Sequence, residues 1–543
     1  MLYSIQMFRV IVNDHKIKQF LNTTTDELVE IDEIIDTTKL FHNETFVIDE
    51  SKRVVLTSSP TRTNEIPAVL CLKNNRTYGK QGNRHLYKCV PDDKHLPPFL
   101  VAYEMKHVGF SKVFPNKYVL IQFMNWSELN PRGMLTNVIG DVDVLDNYYE
   151  YQLHCKSLSD SIQPFSKRVA SSLIDIIHPQ YIPCDDRTSF KTITIDPCGA
   201  KDFDDAFSVV SMSEHLLRVS VHIANVSACL DAYQLWDHVS RVATIYLPNK
   251  NKPMLPPRLS EYDCSLISGK SRIAFTMDLI VNMTTGTVVD TTFQNTKICV
   301  ARNYVYDEPE LLTNNTYRTL LGITNKLKPC ADSHEVVAYW MGQMNIRVAE
   351  VMYQRKTGIF RRATFTETDV LPESVKHWKN AVCDYVVYEE ELEIRHEPLN
   401  VDKYLHITSP IRRLVDLLNM TQFQLLLGVP FSFAAQQFYI NWSQRMDYIN
   451  EKMRMIRQVQ TQCSLLSMCS KDSVVCDGYV LEKHITKNNE GKNVFSVFLK
   501  PLNLMYSFKT TNTDIELNRT YSFKIITFHD EDHFKRKVRL QLV

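Results

Sequence analysis

Four aspartates crowd ten residues of this chain: Asp196, Asp202, Asp204 and Asp205, with only Lys201 beside them. The segment Thr194 to Ser208 reads as a strand ending in Asp196, a turn through Pro197 and Gly199, and a second strand from Ala206. Like charges about 4 Å apart repel by roughly 4 kcal/mol at an effective dielectric near 20. Such crowding persists in open water, as a solvated acidic turn, or around a cation. The short oxygen-only set favours Mg2+ or Mn2+. It does not fit a calcium EF-hand loop, because Ala206 falls where the third ligand belongs and Ser213 where the closing Glu belongs. Magnesium held by aspartates is the usual partner of phosphate chemistry.

A second constellation, Tyr404 to Asp416 (YLHITSPIRRLVD), precedes a helical pattern. Ser409 is placed to cap that helix and Pro410 to open it. This puts Arg412 and Arg413 in its first turn, where free N–H groups and guanidinium forks together grip a phosphate. The alternative for Arg413 is an ion pair with Asp416.

The 543 residues suffice for three or four domains. Lys+Arg and Asp+Glu both number 62, so nucleic-acid contact has to come from a local basic patch. Thirteen cysteines, an odd count without a CxxC pair, point to a reducing compartment with no zinc knuckle. The start, MLYSIQMFRVIVNDHK, lacks a signal-peptide pattern. Residues 417–444 carry no charge, but polar residues and Gly428-Val429-Pro430 interrupt them, which predicts two buried helices rather than a membrane span.

Residues 1–65 mix a short strand with an acidic segment in which Leu28, Ile31 and Ile35 fall at helical spacing. Residues 67–155 read as short strands of a small barrel (PAVLCL, RHLYKCV, PFLVAYEM, YVLIQFMNW, GDVDVL). Basic and aromatic residues from Lys73 to Lys88 interleave there, as on a stacking and phosphate-binding surface. The block 185–470 opens with strands and turns helical after about Glu335; residues 474–543 return to a five-strand pattern.

The aspartate spacing D-x5-D-x-DD and the string HITSPIRRLVD together resemble the ribonuclease II (RNB) family of 3′-to-5′ exoribonucleases. VHIANVS (221–227) and YLPNKNKPMLPPRLSEYDCSL (246–266) lie between them in the family's order. The resemblance implies an α+β multidomain architecture. Residues 1–65 would be an N-terminal segment or truncated cold-shock domain and 66–160 a cold-shock/OB-type RNA-binding barrel. Residues 185–470 would be the mixed α/β RNB catalytic domain and 474–543 a C-terminal OB-fold RNA-binding barrel. It implies a processive, hydrolytic, Mg2+-dependent exoribonuclease with one or two metal ions, Mn2+ substituting. The partner would be single-stranded RNA with a free 3′ end, without a membrane, inside the cell, in the cytoplasm or alternatively the nucleus.

Residue by residue, the resemblance makes Asp196, Asp202, Asp204 and Asp205 metal ligands or supports. Asp204 and Arg412 become catalytic, and Tyr246, Tyr306, Arg412 and Arg413 RNA-binding. The chain also departs from the family: Asn225 replaces an Asp, Met420 a His, and Ala338 and Tyr339 paired glutamates, and the 306–345 stretch is shortened. These departures motivate a second reading, a catalytically impaired RNB-like RNA-binding subunit or regulator of RNA processing. The acidic cluster alone also permits a DNA nuclease or a small-nucleotide phosphohydrolase.

Overall fold

The structure is a computed structural model. It describes residues 6–543 apart from 14–16, 106–113, 173–181, 366–380, 470–473, 485–492, 503, 513 and 531–534. The chain divides into two compact units: residues 1–159 with 461–476 and 522–543, and residues 160–460 with 477–521.

The first unit begins with an antiparallel sheet in the order Leu28–Val29, Lys18–Asn22, Met7–Val12, Thr45–Ile48, Val54–Ser58. Along Met7–Val12 the side chains alternate, Phe8 and Val10 inward, Met7 and Arg9 outward. The acidic segment is not a helix, despite its spacing. Asp26 takes a left-handed backbone (φ 58°), the chain reverses, and Leu28–Val29 pairs with Phe20 and Leu21. Pairing at once with a neighbouring strand avoids the cost of nucleating a short helix.

A second sheet follows and closes into a barrel, because Ile66–Leu70 pairs with both Lys117–Asn125 and Arg84–Pro91. Closure removes the exposed edges. Phe99, Val101, Val119 and Ile121 fill it. Its strand Arg132–Asp141 escaped the sequence pattern, which placed a strand at 140–145 instead. Three register shifts against Lys117–Asn125 break the alternation that reveals a strand, and a helix begins at Leu145. Of the interleaved basic and aromatic residues, Lys73, Arg76, Tyr78, Lys80, Arg84 and Lys88 are exposed, while Tyr87 belongs to the barrel core.

The second unit is built on a six-stranded sheet in the order Asp185–Asp186, Thr287–Val305, Thr192–Asp196, Asp205–Ser211, Leu216–Ala224, Ser271–Asn282. The long strand Thr287–Val305 also pairs antiparallel with Ser271–Asn282, so the sheet curls back on itself. It runs parallel to Thr192–Asp196, which sets Asp196 beside Val305. The helices Ser333–Gln354 and Leu414–Leu426 cover the sheet with Trp340, Met344, Val348 and Phe423. A hairpin, Ile359–Phe365 with Ala381–Val387, interrupts the region expected to be helical.

The uncharged stretch forms the helices Leu414–Leu426 and Phe433–Ser443, separated at Gly428, whose φ of 81° suits glycine. No described helix is long and apolar enough to cross a membrane. The strands Val474–His484, Asn493–Leu499, Leu504–Thr510, Thr520–Asp530 and Lys535–Leu542 fall on the five C-terminal segments read from the sequence.

Candidate active site

Asp196 ends its strand, and its carbonyl accepts the N–H of Tyr306 at 3.1 Å, the first residue beyond the long strand. The loop 197–204 then leaves the sheet and is pinned by Ser265. The Ser265 hydroxyl donates to the Lys201 carbonyl (2.9 Å) and accepts the Phe203 N–H (3.0 Å), while Leu266 N–H bonds the Phe203 carbonyl. This explains what the 246–266 motif does locally: its end holds the aspartate loop in place. Asp205 re-enters the sheet opposite Ile223, and the Asp204 carbonyl accepts the Ala224 N–H.

Asp196, Asp204 and Asp205 are 8%, 2% and 8% exposed, and Asp202 is half-buried. Each of the three buried carboxylates has its Oδ2 enclosed without a hydrogen-bond partner. Burial is the main cause that pushes the Asp204 carboxyl up to about 8; Asp202 and Asp205 add to it, and Arg412 and the Ile411 N–H oppose it. Burial likewise raises Asp196 and Asp205, with Asp204 adding at Asp196 and Asp196 adding at Asp205. Three acids held together without enough donors suit the binding of a cation, and oxygen-only donors suit magnesium. Among the described residues no group of three or more His, Cys, Asp or Glu side chains is gathered as a ready-made metal cage. The case for the ion therefore rests on the unsatisfied oxygens and on the donor chemistry.

Arg412 closes the other side. Its Nε lies 3.2 Å from Asp204 Oδ2, its Nη2 donates to Ser409 Oγ at 3.1 Å, and it hydrogen-bonds the Tyr246 hydroxyl. The Ile411 N–H donates to Asp204 Oδ1 at 3.0 Å. The Arg412 side chain stays 45% exposed, so it pairs with Asp204 and still faces outward.

The local backbone differs from the sequence expectation. Ser409 does not cap the helix, and Arg412 and Arg413 are not in its first turn. Residues 410–412 form a turn, Arg413 is extended, and the helix starts at Leu414. The cause is strand-like pairing: Thr244 N–H bonds the Arg412 carbonyl and Leu414 N–H bonds the Val242 carbonyl. Asp416 compensates by accepting the Ser409 N–H (2.8 Å) and Arg413 Nη2 (2.8 Å). Arg413, expected to bind RNA, thus has its guanidinium engaged by Asp416 rather than by the carboxylates.

Tyr246 and Tyr306 flank the cluster. Tyr246 sits on the short strand Ile245–Tyr246, 37% exposed. Tyr306 is half-buried and stacks flat on His334, ring centroids 3.6 Å apart. Asp307 fixes that histidine's backbone by accepting the Ser333 N–H (3.1 Å) and hydroxyl (2.7 Å). Sequence reading missed His334; a histidine after Asp332-Ser333 carries no signal until the fold lays it on Tyr306. It also missed Ser265, although that residue is the next-to-last of the 246–266 motif.

The departures have local explanations. Asn225 caps the helix Val226–Ala232 through Ala228 N–H, and its Nδ2 donates to Asn295 Oδ1 (2.9 Å) and Gln424 Oε1 (2.8 Å). An aspartate there could not donate, so Asn225 matches its amide neighbours. Met420 is core packing, and Tyr339 packs edge-on against Trp340.

Residues 185–320 match the model of the RNB domain. The chain is 29% identical over 246 residues to DIS3-like exonuclease 2 of Schizosaccharomyces pombe, 41% of this chain and 26% of that protein. The matched stretch thus spans about a quarter of that relative's length. Mycoplasma genitalium RNase R, solved with ribose-methylated single-stranded RNA, superposes with a TM-score of 0.71 at 14% identity, covering 99% of this chain and 100% of that one. Yeast Ssd1, described as a pseudonuclease, superposes with a TM-score of 0.55 at 13% identity, covering 97% of this chain and 82% of that one. At such identities the superpositions speak for the fold, a mixed α/β multidomain arrangement with β-barrels. Matched in sequence and seated in that fold, residues 185–320 form a domain of the RNB family.

Proposed function

We propose that the chain is a hydrolytic 3′-to-5′ exoribonuclease that processively degrades single-stranded RNA to nucleoside 5′-monophosphates. The observation that carries this reading is the set of three buried, hydrogen-bond-deficient carboxylates facing Arg412. Asp196, Asp202, Asp204 and Asp205 would hold magnesium, with manganese as a substitute. When bound, magnesium supplies charge neutralisation and a water of lowered pKa. Arg412 stabilises negative charge at the scissile phosphate with guanidinium N–H groups turned outward. Asp204 holds Arg412 in that orientation. Tyr246 and Tyr306 offer ring faces on which bases stack whatever their sequence.

We propose the same domain limits as the sequence pattern: 1–65, 66–160, 185–470 and 474–543. We place the protein in a reducing, intracellular setting on its odd cysteine count, in the cytoplasm with the nucleus as the alternative.

The test is a 5′-labelled single-stranded RNA with Mg2+. Wild type should give a ladder shortening from the 3′ end. Asp204→Asn should abolish cleavage and keep binding. The second reading, an RNA-binding relative without turnover, is favoured by Asn225 and Met420 and by the likeness to a pseudonuclease. Intact RNA that still shifts in a binding gel with wild-type protein would establish it. Competition by matched DNA separates a DNA nuclease, since discrimination acts through the 2′-hydroxyl.

A further inference from the structure

The helix Met446–Cys469 carries Asn450, Arg454, Arg457 and Gln460 at spacings of four, three and three residues, which places them on one face. Both ends of that face are fixed. Asn450 exchanges two hydrogen bonds with the Tyr385 backbone, each 2.8 Å. Gln460 Oε1 accepts the Tyr246 N–H at 3.4 Å. Tyr246 in turn reaches Arg412 through its hydroxyl. Over the about 9 Å from Arg454 to Gln460 this face therefore leads to Tyr246, beside Arg412 and the carboxylates, before the helix continues to Cys469.

Arg361 joins this face from the hairpin, its guanidinium 4.8 Å over the Tyr385 ring. Among the described residues no carboxylate forms an ion pair with Arg361, Arg454 or Arg457, whereas the neighbouring Arg362 pairs with Asp384 and Arg413 with Asp416. Burial pushes the pKa of Arg457 down, and Arg361 and Arg454 push it further. Three guanidinium groups sharing a surface without a counter-charge repel one another, and a polyanion relieves that repulsion.

We propose that Arg361, Arg454 and Arg457 form a phosphate track that leads the backbone of a single-stranded RNA to Tyr246 and Arg412. The track rests on the exoribonuclease reading for its destination, but its test measures binding alone.

The probes are a labelled 15-nucleotide single-stranded RNA and a dinucleotide, with Asp204→Asn protein as parent. Adding Arg454→Gln and Arg457→Gln should weaken the long RNA by roughly tenfold at 0.1 M salt and reduce the slope of log affinity against log salt by about 1.4, or about 0.7 per lost phosphate contact. Dinucleotide affinity should not change. Arg454→Lys with Arg457→Lys should restore most of the slope, since lysine still contacts phosphate as a point charge. An unchanged slope in the glutamine variant overturns the track, and so does an equal loss for the dinucleotide. Failure of the exonuclease reading shows separately, as wild-type protein that binds the long RNA with a normal slope and leaves it intact.

Discussion

Asp278 and Asp204 lie in the same unit, on or beside the same curled sheet, and are equally buried at 3% and 2% exposure. Their surroundings are opposite. Asp278 takes a two-pronged Arg187 guanidinium at 2.7 Å on each oxygen, the Ser220 hydroxyl at 2.6 Å and Gln294 Nε2 at 3.0 Å. Burial alone would raise its pKa; those donors overcome the burial and hold it below the usual carboxylate value. At Asp204 burial pushes the carboxyl up to about 8, two aspartates add to it, and one backbone N–H and a sideways Arg412 oppose it without cancelling it. Burial therefore does not separate a structural acid from a functional one. What separates them is whether the fold itself supplies the donors. Asp278 is complete without a ligand, and Asp204 is not.

The comparison breaks first, and hardest, at Asp278→Asn. Removing one partner of a buried pair strands the Arg187 charge, so urea unfolding should show a loss of about 3–5 kcal/mol. Asp204→Asn in magnesium-free buffer should show no such loss, because it removes an acid that the fold leaves short of partners. Equal losses at the two positions would erase the distinction.

Adding magnesium sharpens the contrast from the other side. At about a hundred times its dissociation constant, a ligand that binds only the folded state adds about 2.7 kcal/mol. Wild type should gain that increment in urea titrations, and Asp204→Asn should gain far less. Asp278→Asn, although weakened, should gain as much as wild type. A magnesium increment that disappears with Asp278 would place the ion at the wrong carboxylate.

The difference between the two acids also explains what could be read in advance. The Asp196–Asp205 spacing was legible because crowded like charges in one short loop are themselves a chemical signal. Asp278 gave none: it lies inside a strand, and its partner Arg187 is 91 residues away in sequence. The barrel and sheet strands were visible wherever polar and apolar residues alternate, and Arg132–Asp141 was lost where bulges break that period. The turn before Leu414 was misread as a helix start because Ser-Pro is a good local capping pair. Its pairing with residues 242–244 is a long-range contact that no local pattern reports. The Tyr306–His334 stack was invisible for the same reason.

The smallest effect concerns His222, which sits on the strand between the two acids. On Leu216–Ala224, Ser220 faces Asp278, His222 faces Ala206 and Thr276, and Ile223 faces Asp205. His222 is fully enclosed, with Nε2 2.9 Å from Ser208 Oγ and Nδ1 2.8 Å from Thr276 Oγ1, and burial pushes its pKa down to about 3. In the unfolded chain it titrates at its ordinary value near 6.5. Below that pH the unfolded state binds a proton that the folded state refuses. Stability from this group is thus full above pH 6.5 and declines as pH falls toward 3, at about 1.4 kcal/mol per pH unit. Urea unfolding of wild type and His222→Gln between pH 6.5 and 4.5 should differ in slope by about that amount, the variant being flatter. Equal slopes would mean that a proton enters this stretch of sheet freely. The dry, self-satisfied interior would then end before His222, and Asp278 rather than Asp204 would be the exception along this strand.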